Sequence, residues 1–198
     1  MANFKLIAIT PDAEIKDEIS FVSCILDSGF DYVHIRKPSL SEHELMKYIE
    51  SIPSRYYDRL KIHNNFTPAL RYNLAGIHLN RFNKSIPDNY GGTVSKSCHR
   101  FKELENLTDF EYVFLSPIFD SISKSGYKSS FTYSDLVMAK QSGTINSKVI
   151  ALGGITPDNL ATVKDWGFGG AAFLGYLFNS ANLQELDYRI HKIITLIR

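Results

Sequence analysis

Short, nearly unbroken apolar runs recur along the chain, and the stretches between most of them carry apolar residues every three or four positions. Eight runs read as strands: Phe4–Thr10, Asp31–Arg36, Leu60–Asn64, Gly76–Leu79, Thr93–Ser97, Tyr112–Ser116, Lys148–Leu152 and Ala171–Leu174. Most are too short and too evenly apolar for half-exposed antiparallel strands. They suit a parallel sheet covered on both faces. Ile15 to Ser28 has Ile15, Ile19, Val22, Ile25 and Leu26 at helical spacing, with Gly29 placed to end the helix. Ser41 followed by Glu44 forms a capping box that opens a helix through Leu45, Tyr48 and Ile49. Further helices are expected at Phe66–Leu74, Arg100–Leu107, Tyr133–Gln141, Pro157–Trp166 and Leu183–Ile197, whereas Leu79 to Gly92 reads as loop.

Strand alternating with helix means an α/β fold, and eight strands fit a closed (β/α)8 TIM barrel with parallel strands better than an open flavodoxin-like sheet. With 198 residues and no repeat or linker, residues 1–198 read as one barrel domain. Lys and Arg total 22 against 21 for Asp and Glu, interspersed, so no field is expected to draw nucleic acid or a membrane surface. No apolar run reaches the roughly 20 residues that span a bilayer. The N-terminal segment lacks the pattern of a secretory leader, and Cys24 and Cys98 stand alone, the former read as a buried thiol. The expected compartment is the reducing cytoplasm.

In such a barrel the chemistry sits at the C-terminal ends of the strands. Gly153-Gly154 lies between a strand and the helix opening at Pro157, and Gly175 with Tyr176 follows the last strand. Paired turns after strands seven and eight are the recurrent phosphate site of these barrels, although glycine also serves tight turns alone. Ser121, Ser123 and Lys124 lie on a polar loop and offer hydroxyls and a cation to phosphate oxygens. Arg36 ends a buried strand, so it should reach the mouth and meet an anion. His99, at another strand end, can exchange a proton near neutrality. His63 and His78 offer a metal pair by type, but no acidic residue adjoins either and nothing in the sequence completes a zinc site. Trp166 and Phe168 are read either as a subunit interface of a homo-oligomer or as helix packing.

Taken in order, His34-Ile-Arg36, Gly76-Ile-His-Leu79, Ser97-Cys-His99, Ser116-Pro-Ile-Phe119 and Ala151-Leu-Gly-Gly-Ile155 resemble the thiamine-phosphate synthase/TenI family. The resemblance implies the same barrel and a thiazole phosphate as ligand, held by Gly153, Gly154 and the Gly175–Tyr176 turn, with Ser121, Ser123 and Lys124 near the phosphates. It implies pyrophosphate contact for Arg36 and proton transfer for His99. Synthases of the family couple a pyrimidine pyrophosphate to the thiazole phosphate with Mg2+ held by an Asn-Asp pair and a further Asp. Here those positions read Asn64-Asn65 and Asn83, and the lysine two places after Arg36 is Pro38. TenI-type members aromatise a thiazole carboxylate phosphate and require no cofactor. The chain therefore resembles the TenI branch more closely. A divergent synthase using Asn65 and Asn83 around Mg2+, and a non-catalytic thiazole or thiamine phosphate binder, are the alternatives.

Overall fold

A computed structural model describes residues 4–120 and 129–197. Eight parallel strands, each hydrogen-bonded to the next and the last to the first, close a barrel: β1 (Lys5–Ile9), β2 (Tyr32–Ile35), β3 (Leu60–Ile62), β4 (Gly76–Leu79), β5 (Thr93–Cys98), β6 (Tyr112–Leu115), β7 (Val149–Leu152) and β8 (Gly170–Phe173). All eight expected strands are present. The outer layer is made by α1 (Glu18–Asp27), α2 (Glu42–Ser51), α3 (Thr67–Arg71), α4 (Tyr133–Gln141), α5 (Pro157–Asp165), α6 (Gly175–Phe178) and α7 (Leu183–Ile197).

Alternation along each strand divides the apolar residues into two sets. Leu6, Ala8, Val33, Ile35, Val113 and Leu115 face outward into the main core beneath the helices. Ile7, Ile9, Tyr112, Phe114, Ile150 and Ala172 form a separate cluster inside the barrel. The long helix α7 buries Leu186, Ile190 and Ile193, one stripe at helical spacing, and packs along α1, α5 and α6. Each such buried aliphatic side chain stabilises the fold by about 1.5–3 kcal/mol relative to exposure.

The departures from expectation have local causes. The first helix starts at Glu18 rather than Ile15, because the Glu18 carboxylate accepts the Ile15 N–H and the Lys37 ammonium, holding the preceding turn in a loop. The helix expected at Arg100–Leu107 is one 3-10 turn, Phe101–Leu104. Glu103 folds back to accept the His99 and Arg100 N–H groups, and Glu105 is already extended. Trp166 is buried and stacks on Phe119 at 5.6 Å, and Phe168 is buried too, so both serve packing within the barrel rather than an exposed interface. Cys24 is only partly buried, while Cys98 is fully enclosed and its thiol pushed up to about 11 by burial.

At the N-terminal end of the barrel an ion pair closes the floor. Lys61, fully buried, donates to the Glu111 carboxylate at 2.7 Å and to the Thr93 hydroxyl at 2.6 Å, and the Tyr32 hydroxyl donates to the same carboxylate at 2.7 Å. Burial pulls the Lys61 ammonium below its ordinary value despite Glu111. Burial acts to raise Glu111, but Lys61, Tyr32 and Thr93 outweigh it and the carboxyl lies below its ordinary value. Removing the anion leaves a cation stranded inside the barrel, whereas removing the cation leaves a carboxylate with some access to water. Glu111→Gln is therefore expected to destabilise by about 3 kcal/mol and Lys61→Met by about 1 kcal/mol or less in urea unfolding. Equal losses would show that the interior does not penalise the unpaired cation.

Candidate functional site

The C-terminal ends of the strands enclose a cavity of about 290 Å3 whose walls include Arg36, His63, Asn64, Asn80, Arg81, Ser97, His99 and Ser116. A larger groove of about 760 Å3 runs between α1 and α7 on the flank, but it is open and shallow and holds no convergent set of proton-transfer or anion-binding groups. The mouth is the better site, because strand ends there bring side chains from several elements to one point.

His99 lines this cavity as expected. Its Nδ1 lies 2.9 Å from the Ser116 carbonyl oxygen. A carbonyl can only accept, so Nδ1 carries the hydrogen and Nε2 is the basic nitrogen of the neutral ring. Arg36 also reaches the mouth, where it pairs with Asp12 of the loop after β1, and its N–H donates to the Thr10 hydroxyl at 2.9 Å. Burial, then the neighbouring Arg81 charge, holds its pKa below the usual arginine value. Lys37, next in sequence, turns the other way. Its ammonium is buried on Glu18 and on the Pro11 and Ala13 carbonyls, which anchors that β1 loop.

The glycine turns have a packing role as well. Gly153 and Gly154 take φ of 99° and 65°, and a side chain on Gly154 would run into the Asp120 carbonyl. The Ile118 and Phe119 N–H groups donate to the Leu152 and Gly153 carbonyls at 3.0 Å, tying the loop after β6 onto this turn. Gly175 is buried at the start of α6, and the Tyr176 carbonyl accepts from Arg189. The residues just before the two turns, Leu152 and Leu174, line the cavity. Ser121, Ser123 and Lys124 lie outside the described residues.

The two asparagines at the implied metal positions are engaged elsewhere. Asn65, at φ 40°, donates to Glu42 at 3.2 Å and accepts the Thr67 N–H, so its amide turns toward α2. Asn83 closes the loop after β4 through its backbone, and neither residue is part of the cavity wall. Among the described residues lining the cavity none is a carboxylate, and the Asn80 oxygen already accepts two N–H groups. Mg2+ on a phosphate prefers carboxylate oxygen and water. Two guanidiniums and neutral amides do not fit it.

Arg81 and Asn80, which place a cation and an amide in this wall, carried no signal in the sequence beyond their loop position. Nor did the floor. His34 on β2, His63 directly after β3 and His78 on β4 meet inside the barrel with ring centroids 4.2–5.1 Å apart. His34 Nδ1 is 2.8 Å from His63 Nε2, and His34 Nε2 is 2.6 Å from the Tyr112 hydroxyl. His78 Nδ1 and Nε2 meet the Ser95 and Ser97 hydroxyls at 2.9 and 2.8 Å. Possible ligand atoms of the three imidazoles lie within 4.8 Å of one another. Structure thus adds a third ring to the pair seen in sequence. Yet both nitrogens of His34 and of His78 are hydrogen-bonded, and the charges that act on the three rings, Lys61 and Arg36, are both cations. A metal ion there would have to break several of these bonds with no anion to balance it. Burial pushes His34 and His78 well below the ordinary imidazole value, and it pushes His63, with help from Arg36, down to about 3.

The family model described as thiamine monophosphate synthase matches residues 6–176. The chain is 24% identical to the thiamine-phosphate synthase of Chlamydia abortus over 96% of its length and 95% of the relative. It is 27% identical to the corresponding protein of Chlamydia caviae, with 90% and 89% covered. The crystal structure of thiamine phosphate pyrophosphorylase from Bacteroides thetaiotaomicron superposes with a TM-score of 0.87 at 36% identity, covering 98% and 97% of the two chains.

Imidazoles kept neutral in the fold and free to charge when unfolded make the unfolded chain the stronger proton binder below the ordinary value of 6.5. Stability is therefore expected to rise with pH up to about neutrality and to fall in acid. The fall is about 1.4 kcal/mol per pH unit for each histidine, down to its folded value. Urea unfolding at pH 7, 6 and 5 measures this. A flat profile over that interval would mean that the rings ionise within the folded barrel.

Proposed function

This chain belongs to the thiamine monophosphate synthase family, and from that premise we propose that it is a TenI-type enzyme that moves a proton on a thiazole carboxylate phosphate without a metal ion. The observation that carries this reading is His99. It lines a cavity free of carboxylates among its described residues, and its Nδ1–H is pinned by the Ser116 carbonyl, leaving Nε2 as base. In the proposed step Nε2 takes a proton from one ring position of the ligand and returns it at another, giving the aromatic thiazole. The ligand's phosphate would lie by the Gly153-Gly154 turn and the Gly175–Tyr176 turn, with Ser121, Ser123 and Lys124 of the neighbouring loop as further donors. Its carboxylate would meet Arg36 and Arg81, a pair suited to bidentate anion binding.

A second reading is favoured by the names of the relatives, which are thiamine-phosphate synthases and a thiamine phosphate pyrophosphorylase. In it, the two guanidiniums would receive the pyrophosphate of a pyrimidine pyrophosphate. Asn65, whose amide meets Glu42, and Asn83, which is not part of the cavity wall, offer this reading little support for Mg2+.

Two assays on one purified sample separate the readings: aromatisation of the thiazole carboxylate phosphate without metal, and thiamine phosphate formation with Mg2+. Aromatisation is expected, and His99→Ala should lower it about 10²–10⁴-fold while leaving thiazole phosphate binding unchanged. Coupling activity in place of aromatisation would overturn the proposal in favour of the synthase. Silence in both with tight binding would leave a phosphate-binding protein.

A further inference from the structure

Phe82 is the most exposed large apolar side chain among the described residues, at 72%. A single exposed apolar residue is ordinary on a protein surface, so exposure alone says little. Its place says more. Phe82 belongs to the wall of the mouth cavity, on the loop after β4, and among the described residues it takes no part in the core beneath the helices. The other phenylalanine of that wall, Phe114, is fully buried among the rings of His34 and His78.

The turn that carries Phe82 is tied down on both sides. The Asn80 side-chain oxygen accepts the Phe82 and Asn83 N–H groups at 2.9 and 3.1 Å. The Asn80 side-chain amide donates to the His63 carbonyl at 3.1 Å, and its backbone N–H donates to the Asn83 carbonyl at 2.9 Å. The ring is thus placed at the rim by its backbone rather than by burial of its own surface. The Arg81 guanidinium lies over it, 4.5 Å from the ring centroid. A cation is held by the negative face of an aromatic ring, and here that contact leaves most of the ring uncovered. Ring and guanidinium ordered in advance cost less to order on a ligand.

We propose that Phe82 is a stacking platform for the planar ring of the ligand, beside the anionic group that Arg81 receives. The inference rests on the reading of the mouth as a site for a thiazole carboxylate phosphate and adds the residue that recognises its ring. In that ligand the carboxylate is bonded directly to the ring. A guanidinium that binds the carboxylate therefore brings the ring within reach of the adjacent aromatic side chain. Stacking rewards a flat π-face, so the platform selects aromatic rings over saturated rings of similar size. Phe82 serves binding and orientation, and no proton moves through it.

The test is calorimetric binding of phenethyl phosphate and cyclohexylethyl phosphate, which share one phosphate-bearing arm and differ in the ring. Native protein, Phe82→Leu and Phe82→Tyr are compared, with inorganic phosphate as control. The native protein should prefer the aromatic ester about threefold to tenfold. Phe82→Leu keeps an apolar side chain and removes the π-face, so the two esters should then bind alike. Phe82→Tyr should keep the preference, and inorganic phosphate should bind all three proteins equally. Thiazole phosphate affinity should fall in Phe82→Leu by the same factor as phenethyl phosphate affinity. Equal binding of the two esters by the native protein, or binding of neither, would overturn the platform. So would a preference that survives Phe82→Leu, or a lower urea midpoint in that variant, which would show that the ring serves packing. An aromatic preference that depends on Phe82, without any aromatisation of the thiazole carboxylate phosphate, would leave the platform standing and remove the proposed reaction instead.

Discussion

The inside of an eight-stranded parallel barrel is closed to water, so whatever points inward must be satisfied by its neighbours. In this barrel one side of that interior is polar. Lys61 and Glu111 neutralise each other at the bottom, and two hydrogen-bonded sets, Tyr112–His34–His63 and Ser95–His78–Ser97, continue upward to the mouth. The arrangement works only as a set. Removing Glu111 strands a cation, and charging His34 or His78 places positive charge near Lys61, charging His63 near Arg36. Burial, the dominant influence on all three histidines, is what keeps them neutral and therefore able both to donate and to accept.

The mouth inherits its properties from that floor and from the first loop. His63 and Ser97 are the upper members of the buried set and also part of the cavity wall. Arg36 is held at the rim by Asp12, whose loop is in turn anchored by Lys37 on Glu18 and two backbone carbonyls. Tyr48 donates to the same Glu18 carboxylate at 2.5 Å, so α1, α2 and the end of β2 meet on one buried anion. The cavity is thus cationic at its rim and neutral and hydrogen-bonded at its base. That combination suits an anionic ligand undergoing proton transfer, and it offers little to a hard divalent cation.

Much of this barrel is legible in the sequence, for a physical reason. Parallel strands buried on both faces leave runs such as Lys5–Ile9 and Tyr112–Leu115 that no amphipathic helix imitates, and caps such as Ser41 with Glu44 mark where helices begin. His99 and Arg36 are legible as well, since a polar residue at the end of an apolar strand has only the mouth to go to. The rest depends on register and on local competition. His34, His63 and His78 become neighbours only when β2, β3 and β4 align, which no local pattern encodes. Asn65 sits beside a cavity-lining residue yet faces Glu42, because a left-handed backbone turns its amide away. Trp166 follows a helix C-terminus and looks exposable, but Phe119 and Tyr133 close over it.

A barrel of this size has no need of a polar interior to close. Ile7, Ile9, Ile150 and Ala172, from β1, β7 and β8, fill their part of the same interior with ordinary apolar packing. The imidazoles and hydroxyls are confined to β2 through β6, beneath the part of the mouth where Arg36, His63, Ser97 and His99 converge. His63 and Ser97 belong both to these buried hydrogen-bonded sets and to the cavity wall, so the polar side of the interior is the side onto which the mouth opens, and its neutrality is set by burial rather than by a counter-ion.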